Sequence, residues 1–154
     1  MKLSTERLLI YPLSDNEMQD MISKETDPEM KQAYTEMLEG CKSHPEQRLW
    51  YAIWVMALKN DPQLVVGDLC FKGLDANGMV EIGYGIQKAH EGQGYMTEAV
   101  IAMTQWASIQ PGVKKVEAET DPDNKASQRV LEKAGFIPNG VIGLEGPRFV
   151  WHKA

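Results

Sequence analysis

Between Met79 and Ala107 the chain changes its hydrophobic period. Val80, Ile82, Tyr84 and Ile86 alternate with Glu81, Gly83, Gly85 and Gln87. This predicts a strand with one apolar face and one face nearly bare of side chains, against which something must lie closely. Met96, Ala99, Val100, Met103, Trp106 and Ala107 then recur at i, i+3, i+4, i+7, i+10 and i+11, the apolar face of a helix. The turn between them, HEGQGY, places Gly92 and Gly94 just ahead of the helix start.

The rest of the chain reads as short elements without repeats or low-complexity linkers. Arg7 to Pro12 is a strand, and Ser14 with Glu17 forms a capping box that opens a short helix. Asp27 and Pro28 start a second helix that continues to about Gly40. Leu49 to Leu58 and Gln63 to Lys72 are predicted strands joined by KNDP, and Asp75 to Gly78 supplies an Asn-Gly turn. Lys114 to Glu119 is a strand, Asn124 to Ala134 a helix closed by Gly135, and Phe136 to Ile142 with Arg148 to His152 a terminal pair. A meander followed by a helical crossover to a parallel strand gives a mixed sheet.

Composition narrows the function classes. At 154 residues and 43% hydrophobic, the chain suits one domain spanning 1–154. Sixteen basic against 22 acidic residues give a net charge of −6, which disfavours nucleic acid and favours a cationic substrate such as an amine. Cys41 and Cys70 form no C-x-x-C, so neither a disulfide framework nor a zinc site is expected and a reducing, cytoplasmic setting fits. His44, His90 and His152 lack metal-ligand spacing, and no metal is expected. The N-terminal MKLSTERLL has no signal-peptide core, and the ten-residue run Leu49 to Leu58 is too short to span a bilayer, so no membrane partner is expected.

Gly92 and Gly94 remove the Cβ atoms that would keep a ligand from the main chain, and the helix start leaves N–H groups unpaired. Phosphate or pyrophosphate is the natural guest, although the turn on its own is equally served by a tight reversal. The GK[ST] ending of a P-loop is missing, and Thr97 stands where GxGxxG has its third glycine. Nucleotide-hydrolase and dinucleotide readings therefore fall.

The stretch Ala89, His90, Glu91, Gly92, Gln93, Gly94 resembles motif A of the GNAT acetyltransferase superfamily, Q/R-x-x-G-x-G/A, which binds the pyrophosphate of coenzyme A. Both glycines are kept, Ala89 replaces the leading Gln or Arg, and Glu91 sits where a basic residue often helps. Binding is then expected to rest on backbone N–H groups. NKASQRVLEKAGF, with Asn124, Ser127, Val130, Leu131, Lys133, Ala134, Gly135 and Phe136, is similar to motif B. TERLLIYPL, EIGYGI and GYMTEA look closest to the RimJ/RimL-like branch, and the resemblance covers nearly the whole chain.

The resemblance implies an α+β fold: a mixed, mostly antiparallel sheet of about seven strands with a splayed parallel pair, flanked by about four helices. The cleft at the splay would hold the pantetheine arm, and the first helical pair would lie over the acceptor side. It implies acetyl-CoA as cosubstrate, bound by Ile86, Gln87, Lys88, Gly92, Gln93, Gly94, Tyr95, Met96 and Asn124. It also implies an acceptor that is a small amine or a protein N-terminal amine, on a monomer or homodimer.

The implied reaction is direct attack of a neutral amine on the thioester, with backbone donors near Ile86 and Gln87 at the oxyanion. Glu81 matches a strand glutamate that is the base in some members of the family; its alternative is a solvated or salt-bridged strand residue. Glu117, Glu119 and Asp68 are rivals. The family's tyrosine acid is replaced by Leu131, while Ser127 matches a serine that can reach the thiol sulfur, or else is an ordinary helix residue. Tyr84 is a further candidate donor or a core aromatic, and Asn124 an N-cap as well as a pantetheine ligand. Glu98 favours the positive helix start, and Trp50, Trp54, Trp106 and Trp151 read as core. The departures at Ala89, Glu91 and Leu131 leave one alternative, a coenzyme A binding module without transferase activity.

Overall fold

The computed structural model describes residues 1–153. Its strands are β1 Leu3–Ser4, β2 Leu8–Pro12, β3 Ile53–Leu58, β4 Asp61–Leu74, β5 Met79–Ile86, β6 Lys115–Glu119, β7 Ile137–Ile142 and β8 Pro147–His152. The α-helices are α1 Asp15–Lys24, α2 Pro28–Ser43, α3 Tyr95–Ser108 and α4 Lys125–Lys133. One mixed sheet runs β1-β2-β3-β4-β5-β6-β8-β7, and its parallel neighbours are β5 and β6. It has eight strands, because Leu3–Ser4 pairs with β2, a strand too short for alternation to register.

Each face of the sheet carries its own core. Trp54 and Met56 of β3 point into a cluster with Phe71, Val80, Ile82 and the apolar face of α3. Ile53 and Val55 point the other way, against Met18 and Ile22 of α1 and Tyr34 and Leu38 of α2. A strand buried on both faces shows a continuous apolar run instead of alternation. Trp106 lies 5.1 Å from both Trp50 and Trp54 between ring centroids, so these tryptophans are core, as their composition suggested.

The predicted strand Leu49 to Leu58 is corrected in its first half. Pro45–Trp50 is a 3-10 turn, and β3 begins only at Ile53. Arg48 fixes the turn by donating to the Leu13 carbonyl at 2.7 Å and to Asp15 at 2.8 Å, while Tyr51 and Ala52 both donate to the Arg48 carbonyl. A buried turn and a buried strand are equally apolar, so the run alone could not separate them. Ser14 and Glu17 form the expected capping box, with bonds of 2.9 and 3.1 Å.

Two features open the sheet at its middle. A Cβ on Gly67 would stand 2.6 Å from the Gly85 carbonyl oxygen, so only glycine lets β4 and β5 lie this close. On the other side, β5 is in register with β6 from Met79 to Glu81 and with β4 as far as Ile86. Beyond Glu81 the parallel pair has parted. No helix among the described residues is long and apolar enough to cross a membrane.

Candidate active site

Where β5 and β6 part, a cleft of about 500 Å³ opens between the end of β5, the start of α3 and α4. Gly92 and Gly94 adopt φ of +76° and +82°, which lets the loop turn straight into α3. Gly94 is the N-cap and carries no side-chain cap, so the first N–H groups of α3 are left for a ligand. Nothing lies within 4 Å of a Cβ placed on Gly92, so that face of the loop is open to an incoming group.

The loop is held from behind. Arg7 of the β1–β2 link donates to the Gln93 carbonyl at 2.9 Å, and its guanidinium lies 4.4 Å from the Tyr95 ring centroid. Arg7 Nε also pairs with Glu98 at 2.8 Å, and Thr5 Oγ1 and the Arg7 backbone N–H donate to the other carboxylate oxygen. Burial alone would raise the Glu98 pKa, but these bonds outweigh it and hold the carboxyl below its ordinary value. Glu98 therefore sits at the helix start with its charge already paired, which keeps it from repelling an anion there.

Helix α4 forms the opposite wall. Asn124 Oδ1 accepts from the Ser127 N–H at 3.0 Å as the N-cap, and Asn124 also faces the cleft. Ser127 Oγ lies 2.8 Å from Tyr84 Oη, which ties a hydroxyl pair to the cleft wall. Burial pushes the Tyr84 pKa up, against the opposing bond to Ser127, so the phenol stays protonated.

Arg129 and Lys133, one turn apart on α4, line the same cleft. Besides the glycine loop and its Glu91, the cleft lining thus holds two cations. Their i, i+4 spacing was in the sequence, but which helix face meets the cleft was not.

Of the residues expected at the coenzyme, Ile86, Gly92, Gly94, Tyr95, Met96, Asn124 and Ser127 line the cleft. Gln87, Lys88 and Gln93 do not. Gln87 donates its N–H to the Val66 carbonyl at 2.8 Å, so it is no oxyanion donor. Antiparallel alternation then turns the Ile86 N–H away from β4, toward the gap. Lys88 lies exposed in a short 3-10 turn, and Gln93 faces Arg7 through its carbonyl.

A second cavity of about 300 Å³ shares Gly85 and Ile86 with the first as lining residues. Met21 of α1, Met30 and Tyr34 of α2, Val55 and Val65 form its wall, with Asp68 of β4 and Gln87 completing it. Tyr34 Oη donates to Asp68 Oδ2 at 2.9 Å. Burial raises the Asp68 pKa, the Tyr34 bond opposes this, and nearby Glu25 adds to it. Burial and the same carboxylate push the Tyr34 phenol far above its ordinary value, so it remains a donor.

Glu81 lines neither cavity. Its two oxygens pair with Lys72 Nζ at 2.9 Å and Arg148 Nη2 at 3.0 Å, the salt-bridged alternative for this residue. Arg148 also binds Glu117 at 3.0 Å and Glu119 at 2.8 Å, and neither glutamate lines either of these two cavities. Glu117 is held below its ordinary pKa: burial raises it, and bonds from Lys115 and Arg148 prevail. Of Glu81, Glu117, Glu119 and Asp68, Asp68 is the one that lines either of these two cavities.

The family model described as Acetyltransferase (GNAT) domain matches residues 5–137. The uncharacterized N-acetyltransferase YjdG of Bacillus subtilis is 37% identical over 86 residues, 56% of this chain and 51% of that protein. The chain thus spans about half the length of the curated relatives it matches there. Among solved structures, the ribosomal-protein-S5-alanine acetyltransferase of Vibrio fischeri superposes with a TM-score of 0.77 at 14% identity, covering 99% of this chain and 97% of that one. RimL, the ribosomal L7/L12 alpha-N-protein acetyltransferase, in complex with coenzyme A gives 0.76 at 14% identity, covering 99% and 98%. At that identity the likeness bears on the fold.

Proposed function

The chain belongs to the GNAT acetyltransferase family, and from that premise we propose that it transfers an acetyl group from acetyl-CoA to a primary amine by direct attack in a ternary complex. The observation that carries the proposal is a pair of cavities that share Gly85 and Ile86 in their linings, one beside the uncapped start of α3 and one with an apolar wall and a single carboxylate. The residues present fit the coenzyme. The open start of α3 and the Gly92–Gly94 turn suit a pyrophosphate, and Arg129 and Lys133 supply countercharge.

When bound, acetyl-CoA supplies an activated thioester carbonyl. Gly85 and Ile86, which line both cavities, position it, and the Ile86 N–H stands ready for the carbonyl oxygen as charge develops there. The Tyr84–Ser127 hydroxyl pair holds a proton beside the place where sulfur departs. The acceptor, a small amine or a protein N-terminus, enters from the second cavity.

Calorimetric titration with acetyl-CoA, followed by thiol release against a panel of amines and peptides, tests this. Binding with release above background is expected, and no binding at millimolar concentration overturns it. Binding without release from any acceptor favours the inactive coenzyme A module. The observation on that side is Leu131, fully buried where the family's tyrosine would stand.

A further inference from the structure

We propose, building on the acetyltransferase reading and its acceptor in the second cavity, that Asp68 takes the acceptor's ammonium proton and that the acceptor is a primary amine borne on an apolar group. The cavity wall is Met21, Met30, Val55 and Val65, and Asp68 carries the one formal charge among its lining residues. Tyr34 occupies Asp68 Oδ2, while Oδ1 has no hydrogen-bond partner among the described residues. That free oxygen lies 3.8 Å from the position a Cβ on Gly85 would take, so no side chain stands between Asp68 and the Gly85 backbone, which lines both cavities.

The same geometry sets Glu81 apart. It lies on the same face of β5 as Gly85, four residues back, or roughly 13 Å along the strand. Two cations hold it there. Asp68 has none, and the ionisable groups around it are Tyr34 on α2, Glu25 beyond α1 and Cys70 on β4.

The step balances as follows. One proton passes from the ammonium nitrogen to Asp68 Oδ1, and the freed lone pair forms the C–N bond as the C–S bond breaks. Sulfur leaves with the bonding electron pair and takes a proton from Tyr84 Oη. The surplus proton on nitrogen returns to Tyr84 through Ser127 Oγ, and Asp68 releases its own to solvent. An apolar amine satisfies both the carboxylate and the Met/Val wall. A polyamine's second ammonium would meet no carboxylate among the lining residues besides Asp68, and Glu25 lies outside that lining.

Phenethylamine and spermidine serve as probes, with thiol release followed from pH 5 to 9. Phenethylamine is expected to exceed spermidine at least tenfold in kcat/KM. Asp68→Asn should lower kcat/KM for phenethylamine about 100-fold and remove the acidic limb of the profile, with the Kd for acetyl-CoA within twofold of the parent. Tyr34→Phe removes the bond that lowers the Asp68 pKa, so it should move the acidic limb to higher pH, which a structural role alone would not do. Unchanged kcat/KM and acidic limb in Asp68→Asn, or a preference for spermidine, overturns the proposal. If no amine releases thiol, the transferase reading fails and phenethylamine binding to the coenzyme A-loaded protein decides the cavity separately. A Kd raised tenfold or more by Asp68→Asn upholds the site, and an unchanged Kd overturns it.

Discussion

Replacing Arg148 by Met would keep most of the aliphatic stem and remove the cation that joins β8 to β5 and β6. The side chain is 16% exposed, and its partners Glu81 and Glu117 are 16% and 10% exposed. Removing one member of a buried ion pair costs about 3–5 kcal/mol when the other is left uncompensated. Here Lys72 and Lys115 stay within 2.9 and 3.0 Å of the two glutamates and keep them compensated, so the loss falls at or just below that range, about 2–3 kcal/mol. For a chain of this length that corresponds to a fall in Tm of roughly 5–10 °C at pH 7.

Calorimetric melting of parent and Arg148→Met from pH 7 to pH 3 measures it. Glu117 and Glu119 are held below their ordinary pKa, Glu117 by Lys115 and Arg148, Glu119 first by the Glu145 backbone N–H and then by Arg148. A depressed carboxylate stabilises the fold above its unfolded pKa, about 4.3 for glutamate, and that stability is lost as pH falls through the lower folded value. The gap between the two proteins should therefore be full at pH 7 and close below about pH 4. The Kd for acetyl-CoA should stay within twofold, because neither Arg148 nor its glutamates line the cleft. A gap under about 2 °C at pH 7, or one undiminished at pH 3, would refute the reasoning.

Two further outcomes concern the cleft beside α3 and α4. Gly94→Ala should lower stability by about 1–2 kcal/mol in denaturant melts, because φ of +82° is left-handed and the added Cβ would stand 3.2 Å from Arg7 Nη2. The double change Arg129→Ala with Lys133→Ala should raise the Kd for acetyl-CoA about tenfold in calorimetry, at about 0.7 kcal/mol per exposed contact, and flatten its salt dependence.

Local pattern was a good guide to the elements and to the turn that lines the first cavity. The alternation Val80 to Ile86 became β5, the Met96 to Ala107 period became α3, and the two glycines between them take positive φ at an uncapped helix start. Those features depend on neighbours within a turn or a strand. The apolar run at Leu49 misled because burial on both faces removes the alternation that separates strand from turn.

Which carboxylate faces a cavity depended on partners far along the chain. Glu81 has a fitting place on β5, yet Arg148, 67 residues away, captures it. Asp68 was one of three rivals in sequence, yet Tyr34, 34 residues away, holds one oxygen and Gly85 leaves the other uncovered. By itself the sequence determined the order of elements and the anion-ready start of α3, since backbone conformation and side-chain period are local properties. The tertiary structure decided which charges are paired and which remain free, because charge pairing acts across strands that only folding brings together.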